Sequence, residues 1–191
     1  MAKKQTYDFD LIVIGSGASG SAAATIAARA GKNVAIVEAD TFGGDSSNWS
    51  DVPTKSLLHA AQLYDEARQG ARFGLRTNTV GYNYPSIRAW KDLAVKRTGA
   101  GGNRKYYTNE GMSTFQGRAH FLSPHEISVG RRQISARQFL IATGSQWELP
   151  DIQGLDTVKY LTPRTILESI RPPKSLYIIG GGSVGLEIAQ L

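Results

Sequence analysis

Short apolar runs and an alanine-rich stretch alternate near the start of the chain. Residues 9–14 (FDLIVI) and 34–38 (VAIVE) are mostly apolar and predict two strands. Between them, residues 18–30 (ASGSAAATIAARA) are rich in alanine and predict a helix that stops at Gly31. A strand, a helix and a second strand in such close succession predict a parallel βαβ unit with a right-handed crossover.

The next part of the chain predicts helices. Residues 42–55 predict a loop, with Pro53 near the start of the following helix. Apolar or small residues recur close to a 3.6-residue period through 54–68, which predicts a helix there. Residues 70–86 are turn-rich, and 87–97 predicts a further helix.

From residue 113 the pattern changes to strands. The segments 113–122, 125–129 and 132–143 predict three strands, separated by turns near Pro124 and Gly130. We expect them to form a small antiparallel meander, inserted in or packed upon a parallel sheet.

A new unit is predicted from about residue 150. Pro150 and Gly154 indicate a linker, and SLYIIG at 175–180 predicts a strand that leads into a glycine turn and a helix. We therefore predict an α/β fold with one domain at 1–149 and the start of another at 150–191.

The turn after the first strand fits a dinucleotide-binding fingerprint. Gly15, Gly17 and Gly20 match G-x-G-x-x-G after a predicted strand and at the opening of a helix. Glu38, at the end of the next strand, supplies the acidic residue that the fingerprint requires. A glycine turn that serves only packing is the alternative.

Each residue of this fingerprint has a physical role. The first glycine permits a tight turn, the second lets the pyrophosphate approach the backbone, and the third allows close helix packing. The helix N-terminus at Ala18 and Ser19 offers free amides to the phosphates. Because the Glu38 carboxylate accepts hydrogen bonds from ribose hydroxyls and repels a 2′-phosphate, FAD or NAD is favoured over NADP.

Composition and charge exclude several other functions. The net charge is +6, but the basic residues are scattered, and the densest group surrounds glycines in what we interpret as a solvated, mobile loop: Lys96, Arg97, Arg104 and Lys105. The adjacent Tyr106 and Tyr107 could stack on bases, yet two aromatics do not make a platform, so no nucleic-acid partner is expected. The chain has no cysteine, which excludes disulfides, thiolate metal sites and cysteine nucleophiles.

Two further features bear on location and metals. Lys3 and Lys4 precede an apolar run as in a signal peptide, but Asp8, Asp10 and interrupting glycines favour a strand and a cytoplasmic protein without a membrane span. The three histidines lack metal-ligand spacing, so no metal and no catalytic histidine is expected: His59, His120 and His125.

Four later segments carry a family resemblance. Residues 43–55, GGDSSNWSDVPTK, align without gaps on G-G-T-C-x-N-x-G-C-x-P-S/T-K. Further landmarks follow at FQGRAHF (115–121), FLIATGS (139–145) and IQGLD–YLT (152–162). On these motifs the whole chain resembles the pyridine nucleotide–disulfide oxidoreductases, which include dihydrolipoamide dehydrogenase, glutathione reductase and mercuric reductase.

The resemblance implies a fold and a cofactor. The fold would be an FAD-binding Rossmann-like parallel sheet with an inserted antiparallel β-meander, followed by the start of a second dinucleotide-binding domain. The implied FAD contacts are Gly15, Gly17, Ala18, Ser19, Gly20, Glu38, Gly43, Gly44, Lys55, Ala142, Thr143 and Gly144. The implied contacts for the nicotinamide nucleotide of the full-length protein, NADH or NADPH, are Gly180, Gly182 and Gly185.

The chain departs from the family at its redox cysteines. Ser46 and Asp51 stand at those two positions, and neither side chain can form the disulfide that accepts flavin electrons. Asp51 could donate a proton beside the flavin, or it is a surface aspartate without a role. Lys55 and Glu187 correspond to a family pair that approaches the flavin and stabilises its reduced form, although an exposed lysine without a role is the alternative.

The resemblance also implies what the whole protein would need. The family completes its FAD domain with a later segment and forms a homodimer through a C-terminal domain, so we expect this chain alone to be inactive. We expect the full-length protein to move hydride from NAD(P)H to FAD and on to an unknown small-molecule acceptor, such as a quinone or oxygen. A non-catalytic module that binds FAD or an adenine nucleotide is the alternative.

Overall fold

The computed structural model describes residues 6–76, 79–98 and 102–191. Its strands are β1 (Phe9–Ile14), β2 (Val34–Glu38), β3 (Ser113–Gln116), β4 (Ala119–Ser123), β5 (Glu126–Val129) and β6 (Arg132–Ile141). Its helices are α1 (Ala18–Arg29), α2 (Gly44–Asn48), α3 (Asp51–Arg68), α4 (Tyr84–Arg97), α5 (Arg104–Asn109), α6 (Pro163–Ile166) and α7 (Ser183–Gln190). Short 3₁₀ turns lie at Gly70–Phe73 and Leu155–Thr157.

The chain forms two compact units. The first takes in residues up to Asn48 and the segment Thr98–Leu149, and the second takes in Trp49–Arg97 and Pro150–Leu191. The domain division expected between residues 149 and 150 concerns the whole protein and stays a prediction.

The first unit is built on a sheet of six strands in the order β3-β2-β1-β6-β5-β4. Strand β1 pairs in parallel with β2 and β6, and β2 pairs in parallel with β3. The antiparallel strands β4 and β5 extend the same sheet, because β6 pairs with β1 through its second half and with β5 through its first half. The α/β fold with a parallel sheet and an antiparallel meander is thus confirmed.

Alternation along the central strands places the core on both faces of the sheet. Ile12 and Val37 pack on one face with residues of the meander, including Ile127. Val13 and Ile36 point to the opposite face, in the cluster that α1 covers. Strand β2 is buried at every position, as expected for a strand inside a parallel sheet.

The structure corrects three further expectations. The segment 113–122 is two strands, because the chain turns at Gly117 (φ 142°) and β3 and β4 pair with different neighbours. Part of the predicted loop 42–55 is helical, as α2 and the start of α3. The basic residues that we expected in a solvated loop end α4 and begin α5, while the glycines at 99–101 lie outside the described residues, as do Lys3 and Lys4.

The second unit is helical. The helix expected at 54–68 is confirmed as α3, which packs against α4 and also contacts α7. The ammonium group of Lys91 on α4 is buried and donates a hydrogen bond to the carbonyl oxygen of Leu167 at 3.1 Å. The prediction of a strand at 175–180 is wrong. A strand needs a neighbouring backbone to pair with, and no other described segment pairs with these residues.

Candidate cofactor-binding site

The glycine turn after β1 is packed so closely that two of its positions exclude a side chain. Gly15 has φ 101° and donates its amide to the carbonyl oxygen of Val37 at 2.8 Å. A Cβ on Gly15 would lie 2.2 Å from the carbonyl oxygen of Ala142, and one on Gly20 would lie 2.0 Å from that of Gly15. Glycine at both positions is therefore needed to bring β1, α1 and the end of β6 together.

Gly17 is different, because space is open around it. A Cβ there would meet nothing nearer than the Cα of Gly44, at 3.9 Å. Gly17 is the N-cap of α1, and no side chain caps the helix, so the amides of Ala18 and Ser19 in the first turn are not satisfied by a capping side chain. The arrangement can receive an anionic group on the backbone at this helix end.

A second glycine pair lies against the first turn. Gly43 and Gly44 both have positive φ, and a Cβ on Gly44 would lie 2.5 Å from the Cα of Gly17. The structure thus brings Gly43 and Gly44 next to the G-x-G-x-x-G turn, although Gly43 lies 23 positions after Gly20, the last residue of that turn.

Glu38 lies at the end of β2 with 9% of its surface exposed. Its Oε2 accepts the amide of Ser16 at 2.9 Å and the hydroxyl of Ser16 at 2.6 Å. Its Oε1 accepts the amide of Asp40 at 2.8 Å. The expected ribose acceptor is therefore held in place by the protein's own donors.

Ser16 connects the first glycine turn to Glu38 and Gly43 through hydrogen bonds. It was not among the site residues predicted from the sequence. It is fully buried, and its hydroxyl oxygen also accepts the amide of Gly43 at 3.0 Å. Its carbonyl oxygen accepts the hydroxyl of Ser21 at 2.6 Å and lies 3.0 Å from the hydroxyl of Tyr107. The only sequence signal was a serine at the variable second position of the fingerprint.

Tyr107 comes from α5, far away in the sequence. Its ring is fully buried and packs on Phe42 at a centroid distance of 5.4 Å, and its hydroxyl lies 2.7 Å from that of Ser21. Burial raises the pKa of Tyr107, while the hydrogen bonds to Ser21 and Ser16 oppose the rise. No base can stack on this ring, because neither of its faces is accessible.

The segment after β6 completes the cluster in the first unit. The amide of Ala142 donates to the carbonyl oxygen of Ile14 at 2.8 Å, which carries the β1–β6 pairing one step further. The Cα of Thr143 would lie 3.1 Å from a Cβ on Gly15, and Gly144 turns the chain away with φ 71°. The first glycine turn, Glu38, the second glycine pair and residues 142–144 therefore meet at one edge of the sheet.

The candidate ionic residues lie in the second unit. Lys55 Nζ is 2.6 Å from Oδ1 of Asp51, one turn earlier on α3, and 3.7 Å from Oε1 of Glu187 on α7. The hydrogen bond to Asp51 is the largest cause of a raised pKa of Lys55. The structure brings the predicted lysine and glutamate together and adds Asp51 as the nearer partner.

The second glycine turn repeats the packing of the first. Gly180 has φ 116°, and a Cβ on Gly185 would lie 2.2 Å from its carbonyl oxygen. Gly182 is the N-cap of α7 and has no capping side chain. The same relation between a first and a last glycine thus occurs twice in the chain.

Neither a membrane-spanning helix nor a metal-binding cluster occurs in the part of the chain that the structure describes. Among the helices that the structure describes, none is both long and apolar enough to cross a membrane. Within residues 6–76, 79–98 and 102–191, no group of three or more His, Asp or Glu side chains is placed to hold a metal ion.

Comparison with known proteins identifies the family. A family model described as pyridine nucleotide-disulphide oxidoreductase matches residues 9–191. The chain belongs to this family. The resemblance inferred from the sequence motifs is thereby confirmed, and the chain contains no cysteine.

Several family members are similar along nearly the whole chain. It is 38% identical over 189 residues to a mercuric reductase of Streptomyces lividans and 35% identical over 189 residues to one of Bacillus cereus, covering 96% and 97% of this chain. It is 35% identical over 187 residues to a glutathione reductase of Burkholderia cepacia, covering 98% of this chain. The chain spans only 40%, 29% and 41% of the lengths of these three relatives.

A solved structure agrees with the fold. The HOCl-induced flavoprotein disulfide reductase RclA from Escherichia coli, solved as a Cu(II) complex, superposes with a TM-score of 0.76 at 26% identity. The match covers 94% of this chain and 38% of that one. The expected fold class, a mostly parallel sheet with antiparallel strands, is therefore confirmed.

Proposed function

We propose that this chain is the FAD-binding portion of a flavoprotein oxidoreductase that works without a dithiol relay. When bound, FAD would supply the transfer of hydride equivalents between NAD(P)H and a small-molecule acceptor. The observation that carries the proposal is the open position at Gly17, at the uncapped start of α1 and next to Ser16, which holds Glu38 by hydrogen bonds.

The residues of the first unit fit an adenosine diphosphate group. A phosphate can approach the backbone at Gly17, because no side chain fills the space there, and the amides of Ala18 and Ser19 would donate to it. Glu38 would accept a ribose hydroxyl. The same ligand would also lie against the glycine pair Gly43 and Gly44 and against the segment 142–144.

The residues at the family's cysteine positions support direct transfer to the acceptor. Ser46 lies on α2 and Asp51 at the start of α3, and a hydroxyl and a carboxylate offer no thiolate chemistry. An acceptor that takes electrons from the flavin itself, such as a quinone or oxygen, needs no thiol.

By analogy with the family, we assign Lys55 to the flavin. Its ammonium group would stabilise negative charge on a reduced cofactor, and Glu187 and Asp51 orient it. The second glycine turn, Gly180, Gly182 and Gly185, supports a nicotinamide nucleotide as the donor for the whole protein. We propose a homodimer for that whole protein by analogy with the family.

The visible spectrum of the purified chain tests the proposal. We expect bound oxidised flavin to give a yellow protein, or the chain to change the fluorescence of added FAD. Gly17→Val should abolish binding without unfolding the chain, because a Cβ there meets no atom within 3.5 Å. Gly181→Val is the matched control, since a Cβ on Gly181 meets nothing within 4 Å and the residue lies in the second glycine turn rather than the first.

Two results would overturn the proposal. One is a folded, colourless chain that leaves the fluorescence of added FAD unchanged. The other is a Gly17→Val variant that binds FAD as tightly as the unaltered chain, because the ligand would then lie elsewhere.

A further inference from the structure

The hydrogen bonds at Glu38 limit how much of a ligand this carboxylate can recognise. A carboxylate has about four acceptor positions, two on each oxygen. Among the described residues, Oε2 accepts two donors, the amide and the hydroxyl of Ser16. Oε1 accepts one, the amide of Asp40. The donors of the described residues thus leave one acceptor position, and it is on Oε1.

Ser16 is fixed so that its donors stay on Glu38. Its carbonyl oxygen accepts the Ser21 hydroxyl and lies within bonding distance of the Tyr107 hydroxyl. Its hydroxyl oxygen accepts the amide of Gly43, which leaves the hydroxyl proton for the carboxylate. Because Ser16 is fully buried, rotation of its hydroxyl away from Glu38 would leave that proton without a water partner.

We infer that Ser16 is a positioning residue that restricts Glu38 to a single hydroxyl of the adenosine ribose, an inference that rests on the proposed function. A ribose has two adjacent hydroxyls, and a free carboxylate accepts from both. Here one hydroxyl donates to Oε1, and the other finds no acceptor on Glu38. The site therefore distinguishes the two hydroxyls of its ligand.

Binding of three nucleotides to the purified chain tests this inference. Adenosine diphosphate, its 2′-deoxy analogue and its 3′-deoxy analogue would be titrated by calorimetry or by displacement of FAD. We expect one analogue to bind roughly tenfold more weakly than adenosine diphosphate, as for the loss of one charge-assisted hydrogen bond. We expect the other analogue to bind within about twofold of adenosine diphosphate, since its missing hydroxyl makes no bond to Glu38.

The variant Ser16→Ala changes the pattern in a specific way. Removal of the hydroxyl frees one acceptor position on Oε2, so the carboxylate gains the second ribose hydroxyl. Both deoxy analogues should then bind more weakly than adenosine diphosphate. Circular dichroism checks that the variant is folded.

Tyr107→Phe is the matched control. It removes a hydroxyl from the same hydrogen-bonded group but leaves the acceptor positions of Glu38 unchanged. Any loosening of the turn should weaken the binding of adenosine diphosphate and of both analogues by the same factor. The ratio of the affinities of the two analogues therefore stays as in the unaltered chain.

The outcomes separate the inference from the proposed function. Suppose that the unaltered chain binds FAD and adenosine diphosphate, and that both analogues bind equally more weakly than adenosine diphosphate. The proposed function then stands and the inference is overturned. The same holds if neither analogue is weakened. If a folded chain binds neither FAD nor adenosine diphosphate, the proposed function fails and the inference fails with it.

Discussion

The ammonium nitrogen of Lys55 lies 2.6 Å from Oδ1 of Asp51, closer than the 3.7 Å that separates it from Oε1 of Glu187. Asp51 stands where the motif of the family has a cysteine, so the charge beside the lysine differs from that of a neutral thiol. Lys55 and Asp51 are one turn apart on α3, and their side chains are 60% and 54% exposed. The pair therefore acts on the charge state of the lysine more than on the stability of the fold.

We predict that Asp51→Asn lowers the pKa of Lys55, because the hydrogen bond to the carboxylate is the largest cause of its rise above the ordinary 10.5. A raised lysine pKa contributes stability that is fully present below the unfolded pKa. That stability is lost as the pH rises through the folded value. The titration of the Lys55 side-chain Cε resonance by NMR measures the pKa directly.

Asp65→Asn is the control for this titration. Asp65 is exposed on the same helix and accepts a hydrogen bond from Gln69 rather than from a lysine. The Lys55 pKa should stay unchanged in that variant. An equal fall in both variants would show that net charge, not the contact, sets the pKa.

The strands at either end of α1 could be predicted because their pattern is local. Residues 9–14 and 34–38 are apolar runs with turns on both sides, and the structure has them as β1 and β2 at the same bounds. The break at Gly117 could not be predicted, because it depends on which neighbour each half of the segment 113–122 pairs with. Pairing partners distant in sequence leave no signal in a single strand.

The candidate site divides in the same way. The glycines and Glu38 are recognisable from spacing, since each role is fixed by a local strand, turn and helix. The buried, hydrogen-bonded group of Ser16, Ser21 and Tyr107 is not recognisable from the sequence. Tyr107 lies 91 residues from Ser16, and the atom that its hydroxyl contacts there is a backbone carbonyl oxygen. Every residue has a backbone carbonyl, so a hydrogen bond to one leaves no recognisable sequence motif.

The close approach of α1 to β1 gives a second prediction. Gly20→Ala places a Cβ 2.0 Å from the carbonyl oxygen of Gly15, and backbone has to shift to relieve the contact. We expect a loss of about 1–3 kcal/mol in the free energy of unfolding, as for overpacked cores. Urea unfolding followed by circular dichroism measures it.

Gly81→Ala is the comparison for that variant. A Cβ on Gly81 meets nothing within 4 Å and its φ is not positive, so the substitution should change stability little or raise it slightly. Equal stability of the two variants would contradict the packing role of Gly20.

The buried lysine of the second unit gives a third prediction. Lys91→Met keeps the apolar stem but removes the donor from the carbonyl oxygen of Leu167 and the ion-pair partner of Asp92, whose Oδ1 lies 2.9 Å from Nζ. We expect a loss of about 1–3 kcal/mol, because a buried acceptor is left without a partner. Lys96→Met, at an exposed position of the same helix, should stay within about 0.5 kcal/mol of the unaltered chain in urea unfolding. A Lys91→Met chain as stable as the control would show that water replaces the missing donor.

The buried phenol of Tyr107 gives the last prediction. Burial raises its pKa above the ordinary 10.0, and the hydrogen bonds to Ser21 and Ser16 only partly oppose this. A tyrosine whose folded pKa is raised contributes stability that is fully present below the unfolded pKa. That stability is lost as the pH rises through the folded pKa, because the unfolded chain releases the proton first.

Tyr107→Phe should therefore be less stable than the unaltered chain by about 1 kcal/mol at pH 7, from the lost hydrogen bonds. The difference should shrink above about pH 10, because only the unaltered chain has this phenol to ionise. Urea midpoints between pH 8 and pH 11 measure the effect. Tyr177→Phe is the control for the substitution itself, since Tyr177 is 97% exposed. A constant difference between Tyr107→Phe and the unaltered chain across this range would mean that the phenol ionises equally well in the folded and unfolded states.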